Sequence, residues 1–216
     1  HATPEDHAVL EKKGFLLVDS GATYMDGTTD ITRTYPLGPL TEDEKRFYTW
    51  TLQSHIDLAK AVWLDYCECK MIDTIAREPL WRHLINYRCG TGHSVSFVGN
   101  VHEGPHSLRG TNSVLMRPGM VVTDEPGVYE TDLVGIRIEN ELVCVHKADN
   151  QYGTFLGFEP LMFVPIATSP ILPGVLDKDE IAWLNDYHRQ VFAKLAPHLN
   201  DEERSWLAEK CAAIGC

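Results

Sequence analysis

Phe15-Leu16-Leu17-Val18 is a short unbroken apolar run, the pattern of a buried strand, and residues 31–35, rich in threonine and ending in tyrosine, read as a second strand. Asp26-Gly27 between them marks a turn. Thr41-Glu42-Asp43-Glu44 then has the form of a capping box, in which the Thr and Glu side chains each accept from the other residue's backbone amide. Phe47, Ile56, Ala59, Val62 and Trp63 follow at roughly helical spacing, so helix is predicted over 42–63. A second helix is predicted over 71–84, with Ile72, Ile75, Leu80 and Leu84 on one side and a kink at Pro79.

The pattern changes over 88–145. Eight glycines between Gly90 and Gly135 punctuate short β-type runs such as Met120-Val121-Val122-Thr123 and Leu142-Val143-Cys144-Val145, the signature of an antiparallel sheet with tight loops. Helical spacing returns at Asp177, which forms another capping pattern with Glu180 ahead of Ile181, Leu184, Tyr187, Val191 and Leu195. Asp201 is expected to start a last short helix that carries Trp206, Leu207 and Ile214. Helical and strand runs are segregated rather than alternating, which favours an α+β fold over a doubly wound parallel sheet.

The chain has 216 residues, of which 44% are apolar, enough for one sizeable core. A formal net charge of −12 repels phosphate backbones and argues against nucleic acid as a partner. No run is apolar enough to span a bilayer, so no membrane association is expected. The opening His1-Ala2-Thr3-Pro4 shows no secretory pattern. The six cysteines, at 67, 69, 89, 144, 211 and 216, match neither a zinc motif nor a disulfide framework and are expected to be reduced thiols of a cytoplasmic protein.

Four acids stand out by position. Asp19 ends the first apolar run and Asp30 begins the next; their midpoint falls between Tyr24 and Met25, so a hairpin would place the two carboxylates side by side. Glu125 and Glu139 are likewise centred on Asp132, in the polar stretch Glu130-Thr131-Asp132. Any one of these acids alone is better read as a turn former or solvated charge. Two similar pairs, with His93 between them in a glycine-rich loop, point instead to a site where two related halves meet. Adjacent carboxylates repel unless a positive charge sits between them. Four carboxylates and one imidazole form a hard donor set suited to Mn²⁺, with Co²⁺ or Zn²⁺ as alternatives. So many acids suit two divalent ions, which acidify a water and polarise a carbonyl. Neither a His-Glu-x-x-His nor a Gly-x-Ser-x-Gly stretch is present, which argues against single-zinc helix-borne proteases and nucleophile-elbow hydrolases.

These residues resemble a known family. The run from Asp19 to Thr34 (DSGATYMDGTTDITRT) is similar to the first metal motif of Xaa-Pro aminopeptidase, also called aminopeptidase P. GTGH at 90–93 with NVHEGP at 100–105 resembles its histidine motif, and DEPG at 124–127 with GIRIEN at 135–140 its two glutamate motifs. GFEPL at 157–161 and WLNDYH at 183–188 are similar to the carboxyl-terminal extension of the cytosolic-type enzymes.

The resemblance implies a pita-bread fold: two pseudo-symmetric halves around a curved antiparallel sheet with helices outside. Residues 1–216 would be the catalytic metallopeptidase domain without its first elements, and 155–216 the extension. It implies two metal ions, usually manganese, held by Asp19, Asp30, His93, Glu125 and Glu139. His102 would bond the substrate or the developing oxyanion, and Glu125 would double as ligand and proton shuttle. Arg137 would hold ligand carboxylates in place or, equally open, form a surface cross-strand ion pair. Cys89 stands where relatives carry a histidine lining the substrate pocket, and Val128 where they carry a tyrosine. The family's further histidine falls two positions ahead of His1, which does not replace it. The implied reaction is hydrolysis of an amino-terminal Xaa-Pro bond. The implied partners are peptides with proline second, a missing amino-terminal portion of the same enzyme and a second copy in a homodimer. Prolidase, acting on dipeptides, and a non-catalytic pita-bread binding module are the alternatives.

Overall fold

The computed structural model describes residues 3–215, so the readings made on His1 and Cys216 lie outside it. A hairpin of β1 (Phe15–Tyr24) and β2 (Gly27–Pro36) leads into α1 (Glu42–Ala59), β3 (Val62–Leu64) and α2 (Cys69–Trp81). Short strands follow: β4 (Gly92–Ser94), β5 (Glu103–Leu108), β6 (Val121–Asp124), β7 (Gly127–Glu130) and β8 (Val134–Arg137). The long hairpin β9 (Asn140–Asn150) and β10 (Gly153–Pro160) precedes α3 (Lys178–Leu195) and α4 (Asp201–Lys210). One sheet has the order β3-β10-β9-β6-β4-β5, and β1-β2 and β7-β8 are separate ribbons; every named pairing is antiparallel.

Local capping chemistry sets the helix starts. Thr41 accepts from the Glu44 amide at 3.2 Å and Glu44 accepts from the Thr41 amide at 2.7 Å; Asp177 and Glu180 do the same for α3. The helix ends differ from expectation. α1 stops at Ala59, and Val62 and Trp63 belong to β3, where pairing with β10 outweighs their helical spacing. α2 runs through Pro79 and ends at Trp81, leaving Leu84 in a left-handed turn, 97% exposed, instead of on the buried side. The first apolar run is not a buried strand: β1 pairs only with β2, and Val18 is 40% exposed.

Alternation along the strands divides the sheet into two faces. Leu108, Val122, Leu142, Cys144, Leu156 and Phe158 pack on one side with Leu58, Ile72 and Ala76 of α1 and α2. Each such leucine contributes roughly 1.5–3 kcal/mol by leaving water. A second cluster joins Tyr48, Leu52 and Ile56 of α1 to Ile181, Leu184, Tyr187 and Val191 of α3 and to Ile136 and Ile138. Thr123, Glu139 and Glu141 occupy alternate positions and so take the other face. Among the described residues no helix is long and apolar enough to cross a membrane, and the five described cysteines form no disulfide.

Candidate metal centre

The first two carboxylates lie within their strands. The β1-β2 register pairs Asp19 with Thr32 and Gly21 with Asp30, so the two acids are diagonal neighbours and not the directly opposed pair expected from their midpoint. The turn is Met25-Asp26, closed by the Tyr24–Gly27 pair, two residues off the expected register. An offset of two leaves side chains on the same strand face, which is why Asp19, Asp30 and Thr32 still point together.

Glu125 and Glu139 sit where the ladders break. Asp124 pairs with Asn140 in the main sheet and Gly127 with Arg137 in the β7-β8 ribbon, so 125 and 139 face each other between the two. Asp132 lies in the connecting turn with φ +58°. Next to the hydrogen-bonded 124–140 pair the two backbones point outward: the Glu125 amide donates to Thr91 at 2.8 Å and the Glu139 amide to Thr32 at 3.1 Å. Those bonds tie the second acid pair to the loop ahead of His93 and to the strand that carries Asp30. Gly92 lets β4 come close enough, since a Cβ there would lie 1.7 Å from the Thr123 carbonyl oxygen.

Three trios of donor atoms result: Asp30, His93 and His102; His93, Glu125 and Glu139; and Asp19, Asp30 and Glu139. Within each, the atoms lie within 4.8 Å of one another, and shared members link all six side chains into one cluster. His93 donates from Nδ1 to the Ser94 carbonyl at 3.1 Å, which turns Nε2 inward, 3.1 Å from Glu125 and 3.5 Å from Asp30. An unprotonated Nε2 facing two carboxylates is repulsive, so a proton or a metal cation belongs there.

The electrostatics point the same way. Burial, followed by the charges of Glu125 and Asp30, pushes the Glu139 carboxyl up to about 8. Burial and the neighbouring Asp19 raise Asp30. Burial works against charging His93, but Glu125, the Ser94 carbonyl and Asp30 outweigh it and raise its pKa. Crowded acids that raise one another, with an imidazole nitrogen aimed among them, fit divalent cations.

Arg137 is the chief positive charge of the cluster. It donates to Asp19 at 2.6 Å, to the Thr32 hydroxyl at 3.0 Å and to the Tyr129 hydroxyl at 2.9 Å, and lies 3.8 and 3.9 Å from Glu125 and Glu139. His102 is exposed beside His93, with ring centroids 3.9 Å apart. Cys89 joins none of the trios; it lies on an exposed loop within electrostatic reach of Glu125 and Arg137.

Several partners escaped the sequence reading. Thr32 donates to Glu139 at 2.5 Å, and Thr123 donates to Glu125 at 2.9 Å while accepting from the His93 amide at 2.9 Å. Each threonine lies two residues from an acid on the same strand face, the one signal that could have found them. Arg33 is 3% exposed and, among the described residues, has no carboxylate partner. It donates to Asn140 and Tyr187 at 2.8 Å each, to Val164 at 2.7 Å, and to the Thr32 and Glu139 carbonyls. Its acceptors are spread over the chain, so no local pattern reveals it.

Residues 1–146 match the model of metallopeptidase family M24, and 154–214 that of the C-terminal region of peptidase M24. The chain is 41% identical over 223 residues to aminopeptidase P1 of Lotus japonicus, covering 100% of this chain and 34% of that protein. It superposes on the X-prolyl aminopeptidase of Caenorhabditis elegans, described as a cytosolic enzyme with a di-nuclear active site, with a TM-score of 0.86 at 39% identity, over 92% of this chain and 33% of the other. The prolidase of Pyrococcus furiosus is more distant: TM-score 0.59 at 28% identity, over 73% of this chain and 44% of the other. The chain spans about a third of the length of the aminopeptidase relatives. Its α+β architecture is the pita-bread fold. On the family match over residues 1–146, this chain belongs to metallopeptidase family M24.

Proposed function

We propose that the protein carrying this chain removes the residue in front of proline from the amino terminus of peptides. Asp19, Asp30, His93, Glu125 and Glu139 would hold two divalent ions, manganese being the first choice for so oxygen-rich a set. The observation that carries the reading is the convergence of these side chains, from five separate segments, on linked trios of donor atoms. Bound there, the ions supply Lewis-acid polarisation of the scissile carbonyl and an acidified water as nucleophile.

The chain's own groups divide the remaining work. His102, exposed beside His93, is placed to donate to the carbonyl oxygen as negative charge develops on it. Glu125, half-buried and fixed by Thr123, can accept the proton of the attacking water and deliver it to the proline nitrogen that leaves. Arg137 and Thr32 orient Asp19 and Glu139, the outer support that metal ligands need. Cys89 would line the pocket at its edge. Likeness to a cytosolic enzyme favours a cytoplasmic location, and the threefold longer relatives favour a role for further amino-terminal segments; a homodimer belongs to the same reading.

Glu139→Gln in the whole protein should lose one of two metal ions and reduce hydrolysis of an Xaa-Pro-Pro peptide by more than about 100-fold. Wild-type metal content and rate in that variant would defeat the assignment. Prolidase is the second reading, raised by the prolidase likeness. A preference for Xaa-Pro dipeptides over tripeptides would favour it, whereas a metal-free native protein would indicate a binding module.

A further inference from the structure

One pleat beyond the carboxylates, the same strand face lines a second feature. Thr28 precedes Asp30 by two residues, Val95 follows His93 by two, Val121 precedes Thr123 by two and Glu141 follows Glu139 by two; all four line a cavity of about 820 Å³. Two residues of strand advance about 6.8 Å, so this cavity begins about one pleat from the metal cluster, whose six side chains do not line it. Glu141 lies directly across the ladder from Thr123, whose hydroxyl holds Glu125.

Among the described residues two buried acceptors of the cavity wall lack partners, and its donors are neutral hydroxyls such as Thr28 and Ser96. Glu141 is only 4% exposed, and its Oε1 has no hydrogen-bond partner. His106 is 8% exposed; its Nε2 donates to the Val121 carbonyl at 2.7 Å, which leaves Nδ1 as an unpaired acceptor. Asp26 adds a second acid, and among the described residues lining the cavity none is lysine or arginine. Buried acceptors are normally satisfied, and an unpaired buried carboxylate is costly. Phe97, Met120, Leu161 and Met162 supply apolar wall between the polar groups. The complement of such a cavity is an aliphatic stem that ends in a cationic donor.

We infer that this cavity receives the side chain of the residue in front of proline, and that Glu141 makes the protein prefer lysine or arginine there. The inference rests on the peptidase reading above. Its reach is right: with the scissile carbonyl at the metal cluster, the five bonds from a lysine Cα to its ammonium, at about 1.5 Å each, extend roughly 6 Å, close to one pleat repeat. The α-ammonium of the same residue is only two bonds from the carbonyl carbon and cannot reach Glu141.

The test compares lysyl-Pro-Pro, Nε-acetyl-lysyl-Pro-Pro and norleucyl-Pro-Pro, all with free amino termini, with the whole metal-loaded protein. Norleucine keeps the stem and removes the charge. The wild type should favour lysine over both neutral analogues in kcat/KM by about tenfold or more, and Glu141→Gln should bring that ratio close to one. Equal rates for lysine and norleucine in the wild type overturn the subsite, whether or not the variant folds. So does an unchanged ratio in soluble Glu141→Gln. In either case turnover of norleucyl-Pro-Pro leaves the peptidase reading standing. A metal-loaded protein that cleaves none of the three removes that reading, and the subsite with it.

Discussion

Metal binding to this cluster should be strongly coupled to protons, and Glu139 sets the scale. Its side chain is almost entirely out of water, and burial together with the charges of Glu125 and Asp30 pushes its carboxyl up to about 8 from an ordinary 4.5. A bound cation requires the ionised form. At pH 6 removal of that proton costs about 2.7 kcal/mol, since each unit between pH and pKa is worth about 1.36 kcal/mol. Manganese affinity should therefore rise at least nearly tenfold per pH unit from pH 6 towards 8, steeper at the lower end where His93 also sheds its proton, then level off. Asp30, also raised, adds to the slope at the acid end. The metal-free fold should behave in the opposite sense. An acid whose pKa is raised on folding contributes full stability below its ordinary value and loses it as pH climbs through the folded one, so chelator-stripped protein should melt lower at pH 8 than at pH 5. Calorimetric titration of stripped protein with Mn²⁺, in two buffers of different ionisation enthalpy, measures both affinity and proton release. At least one proton should leave per Glu139 site filled near pH 6.5, with part of a second from His93, whose pKa is also raised, and Glu139→Gln should reduce the slope. Affinity that is constant from pH 6 to 8, or binding without proton release, would refute the argument.

Two further perturbations probe the scaffold. Gly92→Ala puts a methyl 1.7 Å from the Thr123 carbonyl, so β4 must part from β6 and carry His93 with it; the variant should fold poorly or bind metal at least about tenfold more weakly, measured by metal content after gel filtration. Arg33→Met keeps the bulk but leaves the buried Glu139 carbonyl and the partly buried Pro165 carbonyl short of a donor, which should cost at least about 3 kcal/mol in a urea titration, whereas a loss under about 1 kcal/mol would show that the guanidinium network is not structural.

What could be read from the sequence was what depends on neighbours along the chain. Thr41 and Asp177 announce helices because a capping box closes within four residues, and the structure forms both. The antiparallel strands of the glycine-rich stretch, the family motifs and the acid pairs were legible for the same reason. Failures came where distant contacts decide. Val62 and Trp63 continue a helical spacing but are claimed by β10, nearly a hundred residues on. The first hairpin keeps its carboxylates on one face despite a two-residue error in register, because strand geometry tests only odd and even.

The second acid pair shows why the site forms where it does. Glu125 and Glu139 face one another in a ladder that is interrupted over two positions, 125–139 and 126–138, with Asp124–Asn140 paired on one side and Gly127–Arg137 on the other. The Cys144 amide donates to the Met120 carbonyl, so by antiparallel alternation 122–142 and 124–140 are the hydrogen-bonded pairs, and the backbones at 125 and 139 point away from each other. Their outward amides bond to the segments that carry His93 and Asp30, and Arg33 locks the Thr32 and Glu139 carbonyls beneath. Those two outward bonds join the hairpin at the start of the chain to the sheet a hundred residues later, and draw mutually repelling carboxylates to a common centre that only a cation can make favourable.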